Sequence, residues 1–472
     1  MKQPISHQLQ HNIDRILSLM GNSSDFIVRE LVISGSKRVG LFYLDGMVDM
    51  KTLQDNVISS LHDRAANENT TVQQLNESIL DAGEVTTVLT LEEAIEQILS
   101  GGLLIIMEGM TEGSIVSLPG WEERSLSESK SQSTIKGPQD SFTETLRTNT
   151  TLVRRRVKDS RVRITTIKVG DKSKTDVSIM YIHGITNEQM VQQTVERLTS
   201  IKLDRVLDGQ YLEECLLEQQ TKTIFPMLFN SDRPDTVAAG IMEGKIAIFV
   251  DGTPFVLIAP SLFVDFFQSA EDYYQSYTYS SAIRILRYMS LFICMLAPSI
   301  YIALTTYHQD MLPTMLLLSL AAQREGVPFP AFIEALIMEI IFEILREAGI
   351  RMPRAIGQTV SIVGSIVIGQ AAVEAGIVSA VMVIVVAITA ISSFVIPSYA
   401  MSIAIRLLRF VFMGLAAAFG TYGVTIGFII LVVHLNSLHS FGVPYMSPIA
   451  PFNTSKQNDA ILRFPYRSKK NG

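Results

Sequence analysis

Three carboxylates recur at four-residue intervals within an apolar stretch of this 472-residue chain. Glu339, Glu343 and Glu347 occupy positions i, i+4 and i+8, so they form one stripe on a helix, and Arg346 projects from the same face. A charge at the centre of a bilayer costs roughly 3 kcal/mol or more, so this stripe does not face lipid. It faces partner helices, a water-filled path or the membrane interface.

Two interpretations of the stripe remain open. In the first, Glu339 and Glu343 line an ion pathway and form an acidic ring in an oligomer, which suits cations. In the second, the helix lies at the membrane interface with the stripe facing water, and Arg346 pairs with the carboxylates of its own helix.

A second polar pair interrupts the longest apolar run, residues 360–397. Gln370 and Glu374 are i, i+4 neighbours near its middle. They are predicted either to line a pore or gate, or to cap a helical hairpin that turns in headgroup water near Glu374.

Aromatic and basic residues mark the start of the apolar region. Tyr273, Tyr274 and Tyr277 precede the first apolar run, and Arg284 and Arg287 lie beside them. Tyrosines and arginines are favoured where a helix meets the headgroups, so these five residues are predicted to be membrane-interface anchors. An amphipathic surface helix is the alternative.

Several kinds of chemistry lack support in the sequence. No phosphate-binding loop, nucleophile elbow, zinc-protease motif or dinucleotide fingerprint occurs, and the seven histidines are scattered. The two cysteines form no metal-binding motif, and a net charge of −7 argues against nucleic acid. We therefore expect no catalytic residues, no cofactor and no metal.

Apolar segments after residue 285 must position these polar groups. Five of them are predicted to cross a membrane: 288–307, 331–348, 359–374, 376–397 and 410–434. Five crossings place three arginine clusters on one common side, namely Arg284 and Arg287, then Arg346, Arg351 and Arg354, then Arg406 and Arg409. They also place the soluble part in the cytoplasm and the C-terminal tail outside. If the glutamate-bearing segment lies flat, four segments cross and the tail moves inside.

The first 271 residues alternate predicted strands with predicted helices. This pattern predicts two small α/β subdomains, 1–118 with a polar N-terminal tail and 141–271, joined by a Ser-rich and Gly-rich linker or exposed loop at 119–140. An all-α membrane domain, 272–437, and a C-terminal tail, 438–472, complete the predicted fold. In the run 231–235, Asp232 or Asp235 is expected to cap the next helix, and the arginines at 154–156 to be solvated or salt-bridged at a helix end.

Several long runs resemble the A subunit of bacterial spore germinant receptors. In the soluble part they are SKTDVSIMYI (173–182), FPMLFNSDRPD (225–235) and VDGTPFVLIAP (250–260), and in the membrane part they are residues 308–353 and 357–380. The resemblance covers nearly the whole chain and is weakest in the first 25 residues and at 118–140.

This resemblance implies a function and partners. Such proteins lie in the inner membrane of the spore and act with a transporter-like B subunit and a lipoprotein C subunit. The A subunit is expected to form a homo-oligomer that acts as a nutrient-gated cation channel and triggers germination. The alternative is a non-conducting scaffold that clusters receptor subunits. The family supplies no residues with settled roles, so the candidate residues rest on charge and position alone.

Overall fold

The computed structural model describes residues 3–33, 37–64, 76, 84–120, 129, 132, 134–217, 223–352, 369–452 and 459–465. The chain forms two compact units. Residues 1–220 and 228–260 make up the first, and residues 221–227 and 261–472 make up the second. The first unit contains two α/β regions and the second is mainly helical, as predicted.

The first α/β region is a five-stranded antiparallel sheet with the strand order β1-β2-β4-β5-β3. Its elements are α1 (Leu9–Met20), β1 (Phe26–Ile33), β2 (Lys37–Leu44), α2 (Met50–Thr52, Leu53–Ile58 and Ser59–Arg64), β3 (Val85–Val88), α3 (Leu91–Ile98), β4 (Gly102–Met107) and β5 (Gly113–Ser117). Strand β4 is buried throughout because helices cover both faces of the sheet: Leu103 and Ile105 pack with α2, and Leu104 packs with α1 and α3.

The second α/β region repeats this strand order, as β6-β7-β9-β10-β8. Its elements are α4 (Leu146–Arg156), β6 (Val162–Val169), β7 (Thr175–Ile182), α5 (Glu188–Ser200), α6 (Gly209–Leu216), β8 (Phe229–Ser231), α7 (Pro234–Met242), β9 (Ile246–Val250) and β10 (Val256–Ala259). The first helix of each region carries the same asparagine contact. Asn12 exchanges two hydrogen bonds with the backbone of Ser6, and Asn149 does so with Thr143. The two regions are therefore an internal structural repeat.

A buried arginine joins the two repeats. The Arg154 side chain is 2% exposed, and its Nε donates to Asp25 Oδ2 at 2.8 Å. Its Nη2 donates to Ser23 Oγ and to the carbonyl of Val162. Arg154 was predicted to be solvated or salt-bridged at a helix end. It is salt-bridged, and the bridge connects the two subdomains.

A second buried arginine contacts two described residues of the segment predicted as a linker. Arg233 donates to the carbonyls of Gln132 and Pro138 and forms two hydrogen bonds with Asp235. Helix α7 begins after Arg233, whose own side chain makes no cap hydrogen bond. Asp235 Oδ1 accepts from the first-turn N–H of Thr236 at 2.9 Å, so the predicted capping role is present at Asp235.

The second unit contains helices α8 to α13 and a short C-terminal hairpin. Its elements are α8 (Tyr277–Thr306), α9 (Thr314–Arg324), α10 (Ala331–Arg351), α11 (Gly369–Glu374), α12 (Ala380–Val395), α13 (Tyr399–Ser437), β11 (His439–Ser440) and β12 (Val443–Pro444), with single 3-10 turns at Phe263–Phe267, Ala270–Tyr273 and Gln309–Met311.

Among the described residues, two helices are long and apolar enough to cross a membrane, α8 and α13. The predicted count of about five crossing segments is not confirmed. Helix α10 carries six charged residues, and α12 has only 16 residues, which is short of the ~20 needed to span the hydrocarbon core. The predicted segment 359–374 lies mostly outside the described residues.

Helix α13 folds back on itself at Gly420, which has a φ of +62° and a non-helical ψ. A Cβ built on Gly427 would lie 2.6 Å from Leu415 Cδ1, and one on Gly423 would lie 2.3 Å from the Leu415 carbonyl oxygen. In a straight helix, residues 415 and 427 are ~18 Å apart. The predicted single span 410–434 is therefore part of two antiparallel legs, 399–419 and 421–437.

The C-terminal segment packs beside the start of α8. The backbone N–H of Phe263 donates to the Tyr445 carbonyl at 2.9 Å, and Arg284 Nη1 donates to Asp459 Oδ1 at 2.8 Å. The helical region thus begins and ends at the same end, so the chain passes through it an even number of times. The contacts do not support the five-crossing alternative with the tail on the far side, and the side of the membrane on which the tail lies stays a prediction.

Candidate functional site

Two facing helices supply the charges of the candidate site. Glu339, Glu343 and Arg346 project from one face of α10, and Arg406 and Arg409 project from one face of the first leg of α13. The two helices run antiparallel here, because Glu339 meets Arg409 whereas Glu343 meets Arg406. We call these five residues the ion-pair cluster.

Glu343 lies at the centre of the ion-pair cluster. Glu339 Oε2 and Arg409 Nη1 are 2.5 Å apart, and both side chains are fully buried. Glu343 Oε2 lies 2.6 Å from Arg406 Nη1, and its Oε1 lies 3.6 Å from Arg409 Nη2. Arg346 Nη1 is 3.9 Å from the same Oε1. The predicted internal pairing of Arg346 is thus present, within a larger network.

Arg346 also connects the cluster to α12. Its guanidinium hydrogen-bonds to Ser393 Oγ and lies over the rings of Phe342 and Phe394, at 5.2 and 4.8 Å from their centroids. Cation–π contacts of this kind stabilise a buried guanidinium without neutralising it. Three helices therefore converge on the cluster.

The charges of the cluster do not balance. It contains two carboxylates and three guanidinium groups, so it carries one excess positive charge. Several of its polar atoms have no hydrogen-bond partner among the residues that the structure describes: Glu339 Oε1, Glu343 Oε1, Arg346 Nε, Arg406 Nε, and Arg409 Nε and Nη2. Removing one partner of a buried ion pair costs ~3–5 kcal/mol, because the other charge stays buried. The arrangement of these helices therefore depends on the cluster being complete.

A further buried carboxylate was not among the predicted site residues. Glu334 is fully buried at the start of α10, and its Oε1 accepts from the N–H of Ser379 at 2.6 Å and from Ser379 Oγ at 2.5 Å. Arg324 Nε, on α9, lies 3.8 Å from Glu334 Oε2. The sequence places Glu334 five residues before Glu339, off the four-residue spacing that drew attention to the stripe.

The remaining predicted polar residues lie apart from the cluster. Gln370 Nε2 donates to Glu374 Oε1 at 2.8 Å, and both side chains are exposed. Glu347 pairs with Arg351 at 2.6 Å on the exposed face of α10. The pore and hairpin-cap interpretations of the 370/374 pair both stay predictions.

The predicted interface anchors divide into buried and exposed residues. Arg284 and Arg287 are buried and both pair with Asp272 at 2.8 Å. Tyr273 donates to Asp459 Oδ2 at 3.1 Å. Tyr277 is 48% exposed, and Tyr274 is half-buried. The two arginines therefore have a protein partner, Asp272. The role of all five residues at a membrane interface stays a prediction.

Within the described part of the chain, no group of three or more His, Cys, Asp or Glu residues is arranged to hold a metal ion. The chemistry available to the ion-pair cluster is the making and breaking of charge pairs.

Comparison with known proteins places the chain in a family. The family model for the Bacillus/Clostridium GerA spore germination protein matches residues 14–471. The chain belongs to the GerA family of spore germination proteins. This confirms the resemblance to germinant receptor A subunits that the long sequence runs indicated.

Relatives of this GerA-family chain carry related names. It is 47% identical to spore germination protein KA of Bacillus subtilis, over 98% of this chain and 85% of that protein. It is 43% identical to the uncharacterized membrane protein YfkQ of Bacillus subtilis, over 98% of this chain and 90% of that protein. The crystal structure of the N-terminal domain of the A subunit of the Bacillus megaterium spore germinant receptor GerK3 is 34% identical, with a TM-score of 0.46, and covers 56% of this chain and 98% of that chain.

Proposed function

We propose that this chain is the membrane subunit of a nutrient-sensing germinant receptor and oligomerises into a nutrient-gated cation channel. The observation that supports this most directly is the ion-pair cluster between α10 and α13. In a bilayer, intramembrane charges are expensive and mark functional sites. We further propose that the cluster holds the closed arrangement of the helices.

The cluster suits a switch because it has distinct paired and unpaired states. The fully buried pair of Glu339 and Arg409 fixes the register of two antiparallel helices. A shift of one helix turn would separate both pairs at once, so intermediate positions are disfavoured. In the paired state the carboxylates are neutralised by arginines. Glu339 and Glu343 would line a cation path only after the pairs separate.

The position of the arginines supports a cytoplasmic soluble region. The first leg of α13 ends where Tyr307 OH, just after α8, donates to the Ala417 carbonyl. Because α10 runs antiparallel to that leg, its Arg351 end lies at the same end of the helical region as the C-terminal segment. Arginines near helix ends favour the cytoplasmic side. We place this end inside, in the inner membrane of the spore.

The proposed partners follow from family membership. Germinant receptor A subunits act with a transporter-like B subunit and a lipoprotein C subunit. We propose that nutrient binding to a partner shifts α10 against α13 and separates the ion pairs.

A non-conducting scaffold is the second candidate function. Among the described residues of α10, each buried carboxylate has a nearby arginine, and Glu334 also binds Ser379. An anchor that clusters receptor subunits requires only such neutralised charges. The channel and the scaffold differ in one expectation. Breaking an ion pair of the cluster changes ion movement through a channel and leaves it unchanged in a scaffold.

Potassium release from spores separates the two candidates. We expect Glu343→Gln to raise potassium release before nutrient is added by about tenfold, because a charge-assisted contact contributes ~1.5 kcal/mol or more to the closed state. Glu347→Gln is the matched control on the same helix, since that residue pairs only with exposed Arg351 among described contacts. Unchanged release in Glu343→Gln, at normal protein levels, contradicts the proposed role of the cluster.

A further inference from the structure

Near the end of the chain, residues 459–465 pack against the first turns of α8. Ser281 Oγ lies 3.0 Å from both the backbone nitrogen and the carbonyl oxygen of Arg463. Arg463 Nη1 donates to the carbonyl of Gln275 at 2.9 Å, and the guanidinium lies 5.4 Å from the centroid of the Tyr273 ring. The middle of the 459–465 segment is therefore fixed to α8 and to the turn before it.

Asp459 fixes the beginning of the same segment. Its Oδ1 accepts from Arg284 Nη1 at 2.8 Å, and its Oδ2 accepts from the Tyr273 hydroxyl at 3.1 Å. The Asp459 carbonyl accepts from Gln268 Nε2 at 2.6 Å. Contacts at both residues 459 and 463 define the orientation of the segment between them.

This orientation turns three apolar side chains outward. Arg463 points inward and is 7% exposed, whereas Ile461, Leu462 and Phe464 are 40%, 40% and 43% exposed. Moving such side chains from water to an apolar environment is favourable. The 459–465 segment therefore presents an apolar face away from α8.

The helix face that holds the segment continues as an apolar stripe. Three exposed residues share the face of Ser281, at successive intervals of four, four and three residues: Ile285, Met289 and Phe292. They are 44%, 54% and 45% exposed, and we call them the α8 stripe. Ile285 follows Ser281 by about one turn, or ~6 Å. The apolar face of the segment is thus adjacent to the beginning of the α8 stripe.

The charges of α8 indicate the level at which the segment lies. Arg284 and Arg287 are the last charged residues before the uncharged stretch 288–306. That stretch is ~28 Å long, which matches a hydrocarbon core of ~30 Å. Ser281 lies ~10 Å before it, and the headgroup region is roughly 5–8 Å thick on each side. In a membrane, the segment would lie where headgroups meet acyl chains.

We infer that the 459–465 segment lies in the plane of the membrane surface and inserts Ile461, Leu462 and Phe464 among the lipids. The partner is the lipid surface, because the face that holds the segment continues directly into the α8 stripe. Elements that lie in this plane bury their apolar face ~5–10 Å into the boundary of headgroups and acyl chains. The inference rests on the proposed placement of α8 across a membrane, and it does not depend on ion conduction.

Fluorescence quenching in lipid vesicles tests this inference. The sequence contains one tryptophan, so Trp121→Phe combined with Phe464→Trp leaves a single reporter at position 464. The full-length protein is reconstituted in phosphatidylcholine vesicles whose lipids carry a nitroxide quencher, either near the headgroup or near the methyl end of the acyl chain. We expect about twofold stronger quenching by the label near the headgroup, because a surface segment lies only ~5–10 Å deep.

Two references calibrate the depth of position 464. Phe292→Trp in the same Trp121→Phe background reports the hydrocarbon, because Phe292 is 45% exposed on the α8 stripe and follows the last charge of the helix. We expect the label near the methyl end to quench position 292 more strongly than position 464. Free N-acetyltryptophanamide reports water, where dissolved iodide is the effective quencher.

Removing the other two apolar side chains gives a second readout. Ile461→Ser combined with Leu462→Ser should lower the quenching of position 464 by the headgroup-side label severalfold and raise its quenching by iodide. The physical reason is that the double variant removes most of the apolar surface that favours insertion. Phe452→Ser is the matched control, because Phe452 is 73% exposed and lies outside the 459–465 segment.

A second probe covers the case in which the Phe464→Trp protein does not fold. Phe464→Cys in a Cys215→Ser and Cys294→Ala background carries a bimane label, whose emission reports the polarity of the same position. Thermal unfolding of each variant decides which probe is used.

Three results would overturn the inference. Quenching of position 464 by iodide alone would place the segment in water, and protection from both iodide and lipid labels would place another protein over it. Unchanged lipid quenching in the folded Ile461→Ser, Leu462→Ser variant would show that these side chains do not hold the segment in the lipid.

The references separate this inference from the proposed function. A receptor that conducts no ions but shows the expected quenching at position 464 contradicts the proposed channel alone. Loss of lipid quenching at position 464 alone overturns only the present inference, whereas its loss at positions 292 and 464 together also contradicts the membrane placement of α8.

Discussion

At the residue scale, Glu213 is a titratable carboxyl in the first unit whose ionisation opposes folding. It lies on α6, and burial raises its pKa to about 7, although the N–H of Leu228 donates to the carboxylate and opposes the shift. The ordinary pKa of a glutamate is 4.5. The folded state therefore binds the proton more tightly than the unfolded state does, so stability falls as pH rises from about 4.5 to about 7.

We predict that Glu213→Gln removes this pH dependence and stabilises α6 above pH 7. The gain should be on the order of 2 kcal/mol, because a shift of one pKa unit corresponds to ~1.4 kcal/mol and the side chain is only partly buried. Hydrogen exchange of the full-length protein, corrected for intrinsic rates, gives the free energy of opening of residues 209–217. Glu196→Gln, at an exposed glutamate on α5, is the control. A pH-independent opening free energy in the unaltered protein contradicts the prediction.

The sequence predicted three of the five residues of the ion-pair cluster. The spacing of Glu339, Glu343 and Arg346 places them on one helix face whatever the fold, and the cost of a charge in lipid requires partners for them. In the sequence, Arg406 and Arg409 indicate only the orientation of the helix. Their pairing with these glutamates depends on the register of two helices 60–70 residues apart in sequence, which spacing within one helix does not determine.

At the element scale, the turn at Gly420 decides the course of the chain. A Cβ at Gly420 would lie 2.9 Å from His308 Cε1, so the tip of the hairpin packs against the end of α8. The second leg then returns to the C-terminal segment, where Thr223 Oγ1 and His434 Nε2 are 3.1 Å apart. The start of α8 and the C-terminal segment are therefore on one side of the proposed membrane.

Cysteine labelling tests this arrangement. In a background with Cys215→Ser and Cys294→Ala, cysteines replace Tyr277, Phe452 and Met315, which are 48%, 73% and 81% exposed. We predict that a membrane-impermeant maleimide labels positions 277 and 452 from the same side, and position 315, on α9, from the other. Position 277 is the internal reference. Labelling of 452 together with 315 contradicts the even number of passes.

The sequence indicates the close contacts within this hairpin, but it does not indicate the turn that forms the hairpin. Gly423 and Gly427 are small residues four positions apart, a spacing that permits close helix contact, and both glycines approach Leu415. The apolar run 410–434 has the length of one span, so hydropathy alone predicts one crossing. The positive φ of Gly420 ends the first leg, and glycine adopts that conformation without a Cβ penalty.

At the scale of the whole molecule, the chain passes between its two units at three points. These are residues 220–221, 227–228 and 260–261. The short segment 221–227 belongs to the helical unit, where Tyr445 OH donates to the Pro226 carbonyl and Ser440 Oγ to the Met227 carbonyl, both at 2.9 Å.

The sequence predicted the α/β and helical parts of the molecule but not the repeat within the first unit. Strands such as β4 and β9 are short, fully apolar runs, which are readily recognised. The two halves share a strand order, and Asn12 and Asn149 make matching contacts in them. Strand order depends on pairings between distant segments, which a residue-by-residue reading does not give.

Potassium efflux from liposomes that contain the full receptor tests the central claim most directly. The account predicts efflux on addition of nutrient in the unaltered receptor, efflux without nutrient in Glu343→Gln, and unaltered behaviour in Glu347→Gln. The contradicting result is a receptor that binds nutrient and releases no potassium, both with the unaltered chain and with Glu343→Gln. That result would favour the scaffold.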